Sequence, residues 1–171
     1  MSHINIEIKA KTSRATEIRN ILKQNKAKFI GLDHQIDTYF KVQNGRLKLR
    51  EGNIENHLIY YERGNQKGPK QSKVSLFNTS SKSPLKDMLR KAIDILAVVD
   101  KKREIYFIDN VKFHIDKVKG LGNFIEIEAI DKTRKIGKKK LLEQCNYYIK
   151  LFGIKNADLL SNSYSDLLLR N

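Results

Sequence analysis

The sequence predicts an α+β fold built on an antiparallel sheet or barrel. About seven or eight segments alternate apolar and polar residues, as strands do, and three or four segments have the wider apolar spacing of helices. Most of the consecutive strand segments are joined by short turns, which favours antiparallel pairing. The elements below are taken in chain order.

The first strand and the first helix are predicted close to the start of the chain. Residues 4–11 alternate between isoleucine or alanine and polar side chains, which is typical of a strand with one buried face. Thr12 or Ser13 can then cap a helix that ends near Asn25. Its apolar stripe consists of Ile18, Ile21 and Leu22.

Four more strands are predicted before the next helix. Gly31 is expected to break the chain ahead of them, and Gln43, Asn44 and Gly45 supply a turn between the first two. The segment GNQKGPKQS, residues 64–72, is predicted to be a flexible basic loop because its glycines and proline disfavour regular structure. The four strands are residues 35–40, 46–50, 57–63 and 73–77.

A second helix is predicted to start at Ser83 and Pro84, because proline is favoured in the first turn of a helix. A broad apolar face follows, and we expect that face, including its methionine, to be buried. The face consists of Leu85, Met88, Leu89, Ala92, Ile93 and Leu96.

The C-terminal part of the chain is predicted to be helical. Residues 134–152 have apolar side chains at helical spacing, and Gly153 ends that helix. Cys145 lies on its apolar stripe and is expected to be a core residue. The tail, residues 156–170, is also helical by pattern, with Asp158 or Ser163 as its cap.

The stretch from Lys101 to Asp131 contains three short strands and carries the most chemistry. In the last of them, Glu126 and Glu128 share one face while the isoleucines point to the other. The turn at residues 119–123 has the glycines that a tight hairpin needs. Acidic and basic side chains of neighbouring strands can therefore meet.

Several strands share this pattern of one apolar and one charged face. If helices cover the apolar side, the charged faces either meet water or curl around a polar lumen. A lumen lined mainly by lysine and arginine, with a few carboxylates, suits a polyphosphate and its metal ion. The charged faces contain Glu7, Lys9, Arg46, Lys48, Arg50, Lys101, Arg103, Lys112, His114, Asp116, Glu126 and Glu128.

Length and charge limit the classes of protein to consider. A chain of 171 residues suits one domain, residues 1–171, and a net charge of +15 predicts attraction to anions. Nucleic acid, a membrane surface and phosphorylated small molecules all qualify, although the basic residues form no long tract. A single cysteine, no long apolar run and no secretory signal indicate a soluble, cytoplasmic protein.

The common nucleotide-binding and metal-binding motifs are absent from the sequence, as are serine nucleophile elbows. The four histidines, His3, His34, His57 and His114, are predicted to be surface or strand-face residues. The remaining candidates are carboxylates, which Mg²⁺ prefers, and cations that can neutralise a triphosphate. The carboxylates are Glu7, Glu126 and Glu128, with Asp116 nearby, and the cations are Lys9, Arg50, Arg63, Lys101 and Arg103.

Six segments together resemble the CYTH superfamily, and most of all its class IV adenylate cyclase branch. They are INIEIK, HQIDTYF, RLKLRE, IYYERG, KKREIYF and FHIDKVKGLGNFIEIE, the last being the most specific. The resemblance spans nearly the whole chain. It implies a triphosphate tunnel metalloenzyme, in which an eight-stranded antiparallel barrel flanked by three to four helices binds a triphosphate with Mg²⁺ or Mn²⁺ in a charged lumen.

The resemblance also implies roles for individual residues. Glu7, Glu126 and Glu128 would be the metal ligands. The residues that would bind the phosphates are Lys9, Arg50, Lys101 and Arg103. Catalysis would involve these four together with Glu7 and with Arg63, which falls where many relatives have a lysine. One departure stands out, because Asn5 occupies a position where relatives usually have a glutamate and therefore brings no negative charge.

Three functions stay open. The cyclase hypothesis has ATP giving cyclic AMP and pyrophosphate, and the triphosphatase hypothesis has water attacking tripolyphosphate, a nucleoside triphosphate or thiamine triphosphate. The third is a non-catalytic module for a polyanion or nucleotide, motivated by the +15 charge and Asn5. Expected partners are nucleoside triphosphates or inorganic polyphosphate, with nucleic acid less favoured, no membrane, and a homodimer by family analogy.

Overall fold

Eight antiparallel strands form a closed barrel with four α-helices outside it, in agreement with the predicted fold class. The structure is a computed structural model and describes residues 2–170. The strands are β1 Ser2–Lys11, β2 Lys28–Phe40, β3 Arg46–Glu51, β4 His57–Arg63, β5 Lys70–Asn78, β6 Ile95–Ile108, β7 Val111–Val118 and β8 Gly122–Asp131. The helices are α1 Ala15–Gln24, α2 Leu85–Ala92, α3 Lys138–Leu151 and α4 Tyr164–Leu169.

The barrel closes through β1. Around the barrel the strands run in the order β1, β5, β4, β3, β2, β6, β7, β8, and β1 pairs with both β5 and β8. Glu7 lies opposite Glu128 and Lys9 lies opposite Glu126 in the β1–β8 ladder. Because side chains alternate along a strand, the polar set points into the barrel and the isoleucines between them point outward.

Helices α1 and α3 cover the outer apolar face of β1, β7 and β8. Together they bury one continuous core, whose most buried side chains are at most 1% exposed. Cys145 belongs to this core, as predicted, and its burial raises the pKa of its thiol to about 12. The core includes Ile8, Leu22, Phe113, Ile125, Ile127, Leu141 and Phe152.

One end of the barrel is closed by a second apolar cluster and α4. Tyr164, the first residue of α4, packs on Phe124 with their ring centroids 4.9 Å apart. Ser163 caps α4 as predicted, in a capping box with Asp166. The tail is not one helix, however, because a short 3-10 turn at Asn156–Asp158 and an extended segment precede α4.

The prediction for the second helix is wrong in part. Helix α2 ends at Ala92, and Leu96 belongs to β6, where pairing with β2 continues as far as Ile95. None of its residues is buried, and Met88 is 63% exposed. A helix of eight residues lies here on the surface, so its apolar stripe does not form core.

Two strands begin earlier in the chain than predicted, because they pair with distant strands. β2 begins at Lys28 and runs through Gly31, which lies at a register shift against β6 instead of breaking the chain. β5 begins at Lys70, inside the predicted loop, because Lys70 pairs with Glu7 of β1. Ladder hydrogen bonds to a distant strand thus override the local turn signals.

Two helix starts also differ from the prediction. Arg14 occupies the position before α1, and Thr12 accepts a hydrogen bond from the Arg14 N–H instead of capping the helix. Helix α3 begins at Lys138 because the Asp131 carboxylate accepts hydrogen bonds from three backbone N–H groups in the preceding loop, at Lys135, Ile136 and Gly137.

The hairpin between β7 and β8 forms where it was predicted. Gly120 and Gly122 have φ angles of 79° and 102°, a region that favours glycine. Within residues 2–170, helices connect consecutive strands at two places: α1 joins β1 to β2, and α2 joins β5 to β6. None of the helices within residues 2–170 combines the length and the apolar character needed to cross a lipid bilayer.

Candidate active site in the barrel lumen

The barrel encloses a cavity of about 340 Å³ whose lining is rich in charged residues. Within residues 2–170, eight lysines or arginines and four glutamates line it. The cations are Lys9, Lys48, Arg50, Arg63, Lys101, Arg103, Lys112 and Lys132. The acids are Glu7, Glu55, Glu126 and Glu128. The acidic and basic strand faces therefore look at each other across an enclosed channel.

All the predicted site residues lie in this lumen. Tyr61 and Arg63 of β4 both line the cavity. The side chain of Arg63 therefore points into the lumen, as predicted. Asp116 lies behind the wall of the cavity, where it pairs with Arg103. The other predicted residues that line the cavity are Glu7, Lys9, Arg50, Lys101, Arg103, Glu126 and Glu128.

A fully buried carboxylate on β2 organises one wall. Asp37 accepts hydrogen bonds from Lys101 at 2.6 Å, from Lys48 at 2.9 Å and from Arg50 at 2.9 and 3.0 Å. Burial opposes its ionisation, but these three cations hold the pKa of Asp37 well below its usual range. Asp37 thus positions the cations that face the cavity.

A similar arrangement surrounds Arg103, which lies two residues after Lys101 on β6. Its guanidinium donates to Asp116 at 2.7 and 2.6 Å and to Glu126 at 2.6 Å. Lys9 completes the pairing of Glu126 at 2.8 Å and sits 3.4 Å from the centre of the Tyr164 ring. The Tyr164 hydroxyl donates to Asp116 at 2.6 Å, so the segment that closes the barrel is tied to this wall.

Two further pairs cross the cavity. Arg63 donates to Glu7, and Lys112 donates to Glu55. Glu55 belongs to the turn after β3, and Arg50 also donates to it at 3.0 Å. Burial opposes its ionisation, but the pKa of Glu55 falls well below its usual range beside Lys112 and Arg50.

The turn that carries Glu55 is itself held by a buried acid. Asp33 accepts hydrogen bonds from the backbone N–H groups of Ile54 and Glu55, both at 2.9 Å. A side chain on Gly52 would come within 2.7 Å of the Asp33 carboxylate, so this close approach requires a glycine. The Glu55 carboxylate is therefore aimed into the lumen by backbone contacts.

Glu128 differs from the other lumen acids. Among residues 2–170, its one oppositely charged or imidazole contact within 4.0 Å is His114, whose Nδ1 lies 3.9 Å away. Burial, followed by the nearby charges of Glu126 and Glu7, raises the pKa of Glu128 to about 7. A positive charge placed beside Glu128 would relieve this repulsion.

His114, Glu126 and Glu128 form a compact cluster whose ligand atoms all lie within 4.8 Å of one another. Burial, with Arg103 next, lowers the pKa of His114 to about 3, so its ring is neutral. Its Nε2 atom and the Asn5 Oδ1 atom are buried without a hydrogen-bond partner among the described residues. Carboxylate oxygens and unpartnered acceptors suit a divalent cation, so these residues fit the metal that the family resemblance implies.

The two ends of the cavity differ. Tyr164, Ser163 and Tyr39 close one end and are at most 3% exposed. The other end opens to solvent and is lined by five apolar side chains together with one lysine, two histidines and an asparagine. Those residues are His3, His57, Ile59, Val74, Leu76, Asn78, Phe107, Ile130 and Lys132.

Sequence reasoning did not single out several residues of this site. It placed Lys112 and His114 on a charged strand face without a role, and both line the cavity. Asp37 could have been placed by its register opposite Arg50. No strand pattern in the sequence indicates Glu55, because this residue reaches the lumen from the turn between β3 and β4.

A family model described as "CYTH domain" matches residues 3–164 of this chain. A Methanocaldococcus jannaschii protein named "Putative adenylate cyclase" is 30% identical, and the match covers 96% of this chain and 98% of that protein.

Two solved structures share the fold. A protein described as "a putative adenylate cyclase" from Vibrio parahaemolyticus superposes with a TM-score of 0.78 at 17% identity, covering 99% of each chain. The Hippeastrum protein "Putative adenylyl cyclase HpAC1", described as having a dominant triphosphatase activity, superposes with a TM-score of 0.63 at 12% identity. That match covers 98% of this chain and 94% of the Hippeastrum chain. At these identities, the two structures support the fold alone.

Proposed function

The chain belongs to the CYTH domain family, and we propose that it is a metal-dependent enzyme acting on a nucleoside triphosphate inside its barrel. The favoured reaction converts ATP to cyclic AMP and pyrophosphate. One observation carries the proposal, namely the enclosed cavity in which eight cations from several strands surround a group of glutamates. A triphosphate is a compact polyanion that such a cavity can neutralise.

In this proposal Lys9, Arg50, Lys101 and Arg103 bind the phosphates, and Arg63 assists them. Their positions are supported by Asp37, Asp116 and Glu126, which hold the cations in fixed geometry. A site whose charges are already oriented costs little reorganisation when the substrate binds.

Glu7, Glu126 and Glu128 are the proposed ligands of Mg²⁺ or Mn²⁺. When bound, the metal ion would neutralise charge on the phosphate oxygens and help to align them. The raised pKa of Glu128 supports this assignment, because it marks a carboxylate that lacks a cation.

The two ends of the cavity support an orientation for the substrate. The apolar open mouth suits a nucleoside, which leaves the terminal phosphate near Lys9 and Lys101 at the closed end. Glu7 and Glu128 face each other two residue pairs closer to the mouth than Lys9 and Glu126 do. The carboxylates that would hold a metal ion therefore lie along the part of the cavity that would bind the phosphates.

This orientation favours the cyclase reaction. The ribose 3′-oxygen forms a bond to the α-phosphorus, the bond from that phosphorus to the bridging oxygen of pyrophosphate breaks, and the hydroxyl proton is released. The residues of this chain hold the phosphates in line and exclude bulk water at the closed end.

Triphosphate hydrolysis is the second candidate. The dominant triphosphatase activity described for the Hippeastrum protein favours it. In that reaction water attacks the terminal phosphorus, and the leaving group is a diphosphate. The same cations would bind the substrate.

Incubation with ATP and Mn²⁺ distinguishes the two reactions. We expect cyclic AMP and pyrophosphate in equal amounts, measured by chromatography. Orthophosphate released from ATP or from tripolyphosphate, without cyclic AMP, would instead establish the triphosphatase.

A double variant, E126Q with E128Q, separates an enzyme from a non-catalytic polyanion-binding module. We expect it to lose metal-dependent turnover by at least about 100-fold while still binding tripolyphosphate, because the lumen cations remain. Salt-sensitive binding with no turnover in the unmodified protein would support the binding module instead.

We propose further that the chain works as one domain in the cytoplasm, where ATP is available. Support for a single domain comes from the pairing of β1 with β8, which joins distant parts of the chain in one barrel. Limited proteolysis that released a stably folded half would overturn it.

A further inference from the structure

We propose that Asn5 and Ser72 form a binding subsite for the hydroxyl groups of a ribose, so that the lumen prefers ribonucleoside triphosphates to other triphosphates. This inference rests on the proposed function in assuming that a triphosphate enters the barrel. It assigns a role in substrate binding to two side chains for which the family resemblance implies none.

The two side chains lie opposite each other in the barrel wall. Asn5 of β1 pairs with Ser72 of β5 in the antiparallel ladder, and both residues line the cavity. Directly opposed residues in such a ladder have their Cβ atoms about 4.5–5.5 Å apart. One small group in the lumen can therefore contact both side chains.

Both side chains are buried and leave polar atoms without a partner. Asn5 is 4% exposed and Ser72 is 1% exposed. Among residues 2–170, neither the Asn5 Oδ1 atom nor the Ser72 Oγ atom has a hydrogen-bond partner. An unpaired buried polar group costs free energy, so a ligand that supplies the missing hydrogen bonds is favoured at this place.

The chemistry of the pair indicates a ligand with hydroxyl groups. The Asn5 Oδ1 atom can only accept a hydrogen bond, whereas the Ser72 hydroxyl can both donate and accept. An ionised phosphate offers acceptors alone, so it supplies no hydrogen bond to the Asn5 oxygen. The neighbouring hydroxyls of a ribose donate as well as accept, and they can therefore satisfy both protein atoms.

The position of the pair along the barrel indicates a sugar. On β1, Asn5 lies between Glu7 and His3, and His3 lines the open mouth. On β5, Ser72 lies two residues before Val74, which also lines the mouth. The sugar of a nucleoside triphosphate lies between the phosphates and the base. A nucleotide with its phosphates at Glu7 and beyond, and its base at the mouth, would therefore place its sugar at this pair.

Arg63 continues the same row toward the proposed phosphate-binding part. It lies opposite Ser72 in the β4–β5 ladder, and its Nη1 atom donates to Glu7. Its side chain is 4% exposed, and within the described chain its Nε and Nη2 atoms have no hydrogen-bond partner. These two nitrogens form one edge of the guanidinium, which can bind two oxygens of a single phosphate. A phosphate at this edge would place the attached sugar next to Ser72 and Asn5.

Binding of ATP and of 2′,3′-dideoxy-ATP tests this inference, because the two nucleotides differ only in the ribose hydroxyls. Titration calorimetry in metal-free buffer measures both affinities without metal-dependent turnover. We expect the unmodified protein to bind ATP at least about tenfold more tightly, because the dideoxy nucleotide lacks the hydrogen bonds to this pair. N5A and S72A should each reduce this preference, and the double variant should abolish it. Tripolyphosphate has no sugar and should bind equally to all four proteins.

N5D is the conservative variant, because its carboxylate can still accept a hydrogen bond from a hydroxyl. We expect it to keep the preference for ATP over the dideoxy nucleotide but to bind tripolyphosphate more weakly, since it adds a negative charge to the lumen. N78A is the matched control, because Asn78 lies on the same strand as Ser72 and lines the cavity at its mouth. It should keep the preference. Circular dichroism of the ligand-free variants checks that they fold.

An unpartnered asparagine oxygen can also bind a divalent cation, and Mn²⁺ binding without nucleotide separates that role from the proposed one. N5A should bind Mn²⁺ as tightly as the unmodified protein does. Weaker Mn²⁺ binding by N5A, with an unchanged preference for ATP over the dideoxy nucleotide, would assign Asn5 to the metal site and overturn the inference.

The inference is also overturned if the unmodified protein binds the two nucleotides equally or binds neither, or if the double variant keeps the preference. The proposed function is judged separately, by the products formed from ATP with Mn²⁺. Cyclic AMP formed without a preference for the ribose hydroxyls would keep the proposed function and reject the subsite. A clear preference without any product would keep the subsite and reject the proposed function.

Discussion

Asp37 and Glu128 are both carboxylates inside the same barrel, yet their surroundings are opposite. Asp37 is fully buried and receives hydrogen bonds from three cations, which hold its pKa well below the usual range. Glu128 faces the cavity beside two other glutamates, which help to raise its pKa to about 7. Burial is common to both, so the difference comes from the neighbouring charges.

This contrast separates two tasks of the lumen. Around Asp37 the cations proposed to bind phosphate are already held in place by ion pairs with this acid. Around Glu128 the neighbouring carboxylates of Glu126 and Glu7 oppose its ionisation, although Lys112 lies opposite it in the β7–β8 ladder. In the same barrel, the cations around Asp37 are fixed by ion pairs, whereas Glu128 is repelled by neighbouring carboxylates.

The largest effect is expected at Asp37. D37N leaves Lys48, Arg50 and Lys101 together in the barrel wall without a compensating charge. Breaking a buried ion pair from one side costs about 3–5 kcal/mol, so we expect the free energy of unfolding to fall by about that amount. Urea denaturation measures it.

D94N is the control for this loss. Asp94 pairs with Lys41 at 4.0 Å, and its side chain is 83% exposed, so its removal should leave the urea midpoint unchanged. If D37N unfolds at the same urea concentration as D94N, the ion pairs of Asp37 do not stabilise the barrel.

A smaller, pH-dependent effect is expected at Glu128. The folded protein holds the Glu128 proton up to a pKa of about 7, whereas the unfolded chain releases it near 4.5. Stability of the metal-free protein should therefore fall as the pH rises from about 4.5 to about 7 and change no further from this cause above that. E128Q should lose this component and be more stable than the unmodified protein above pH 7.

Thermal unfolding of both proteins across this pH range checks the expectation in metal-free buffer. Parallel pH profiles for E128Q and the unmodified protein would show that the pKa of Glu128 is not raised in the folded protein. In that case the contrast with Asp37 would disappear.

The smallest effect is expected at the hydrogen bond that the Tyr164 hydroxyl donates to Asp116. Y164F removes the hydroxyl that donates to Asp116 but keeps the ring over Lys9. A hydrogen bond to a charged acceptor contributes about 1.5–3 kcal/mol, and we expect a loss near the lower value because Arg103 still pairs with Asp116.

Y147F is the matched variant for this position, because Tyr147 lies on α3 with 57% of its surface exposed. Its urea midpoint should stay unchanged. A loss as large as that of Y164F would mean that removal of any tyrosine hydroxyl, and not the bond to Asp116, explains the result.

Alternation along the strands was enough to predict that Glu7, Glu126 and Glu128 lie on charged strand faces. Glu7, Glu126 and Glu128 each sit between apolar residues, so a local pattern of two residues fixes which way they point. The same rule explains why the placement of Arg50 and Arg103 could be predicted.

The remaining parts depend on contacts between distant segments. Glu55 reaches the lumen only because Asp33, about twenty residues earlier, fixes the turn. Tyr164 closes the barrel through a hydrogen bond to Asp116 that spans 48 residues. Met88 had a clear apolar pattern but no neighbour to cover it, because α2 is too short to reach the core.

The strand β1 has neighbours that the ribosome makes much later. Its partner β5 begins at Lys70, and its other partner, β8, begins only at Gly122. Until β8 has emerged during synthesis, β1 keeps an unpaired edge and its isoleucines have no core to enter. Productive folding of the nascent protein is therefore delayed until most of the polypeptide has been translated, and chaperones have that interval in which to protect the exposed strand.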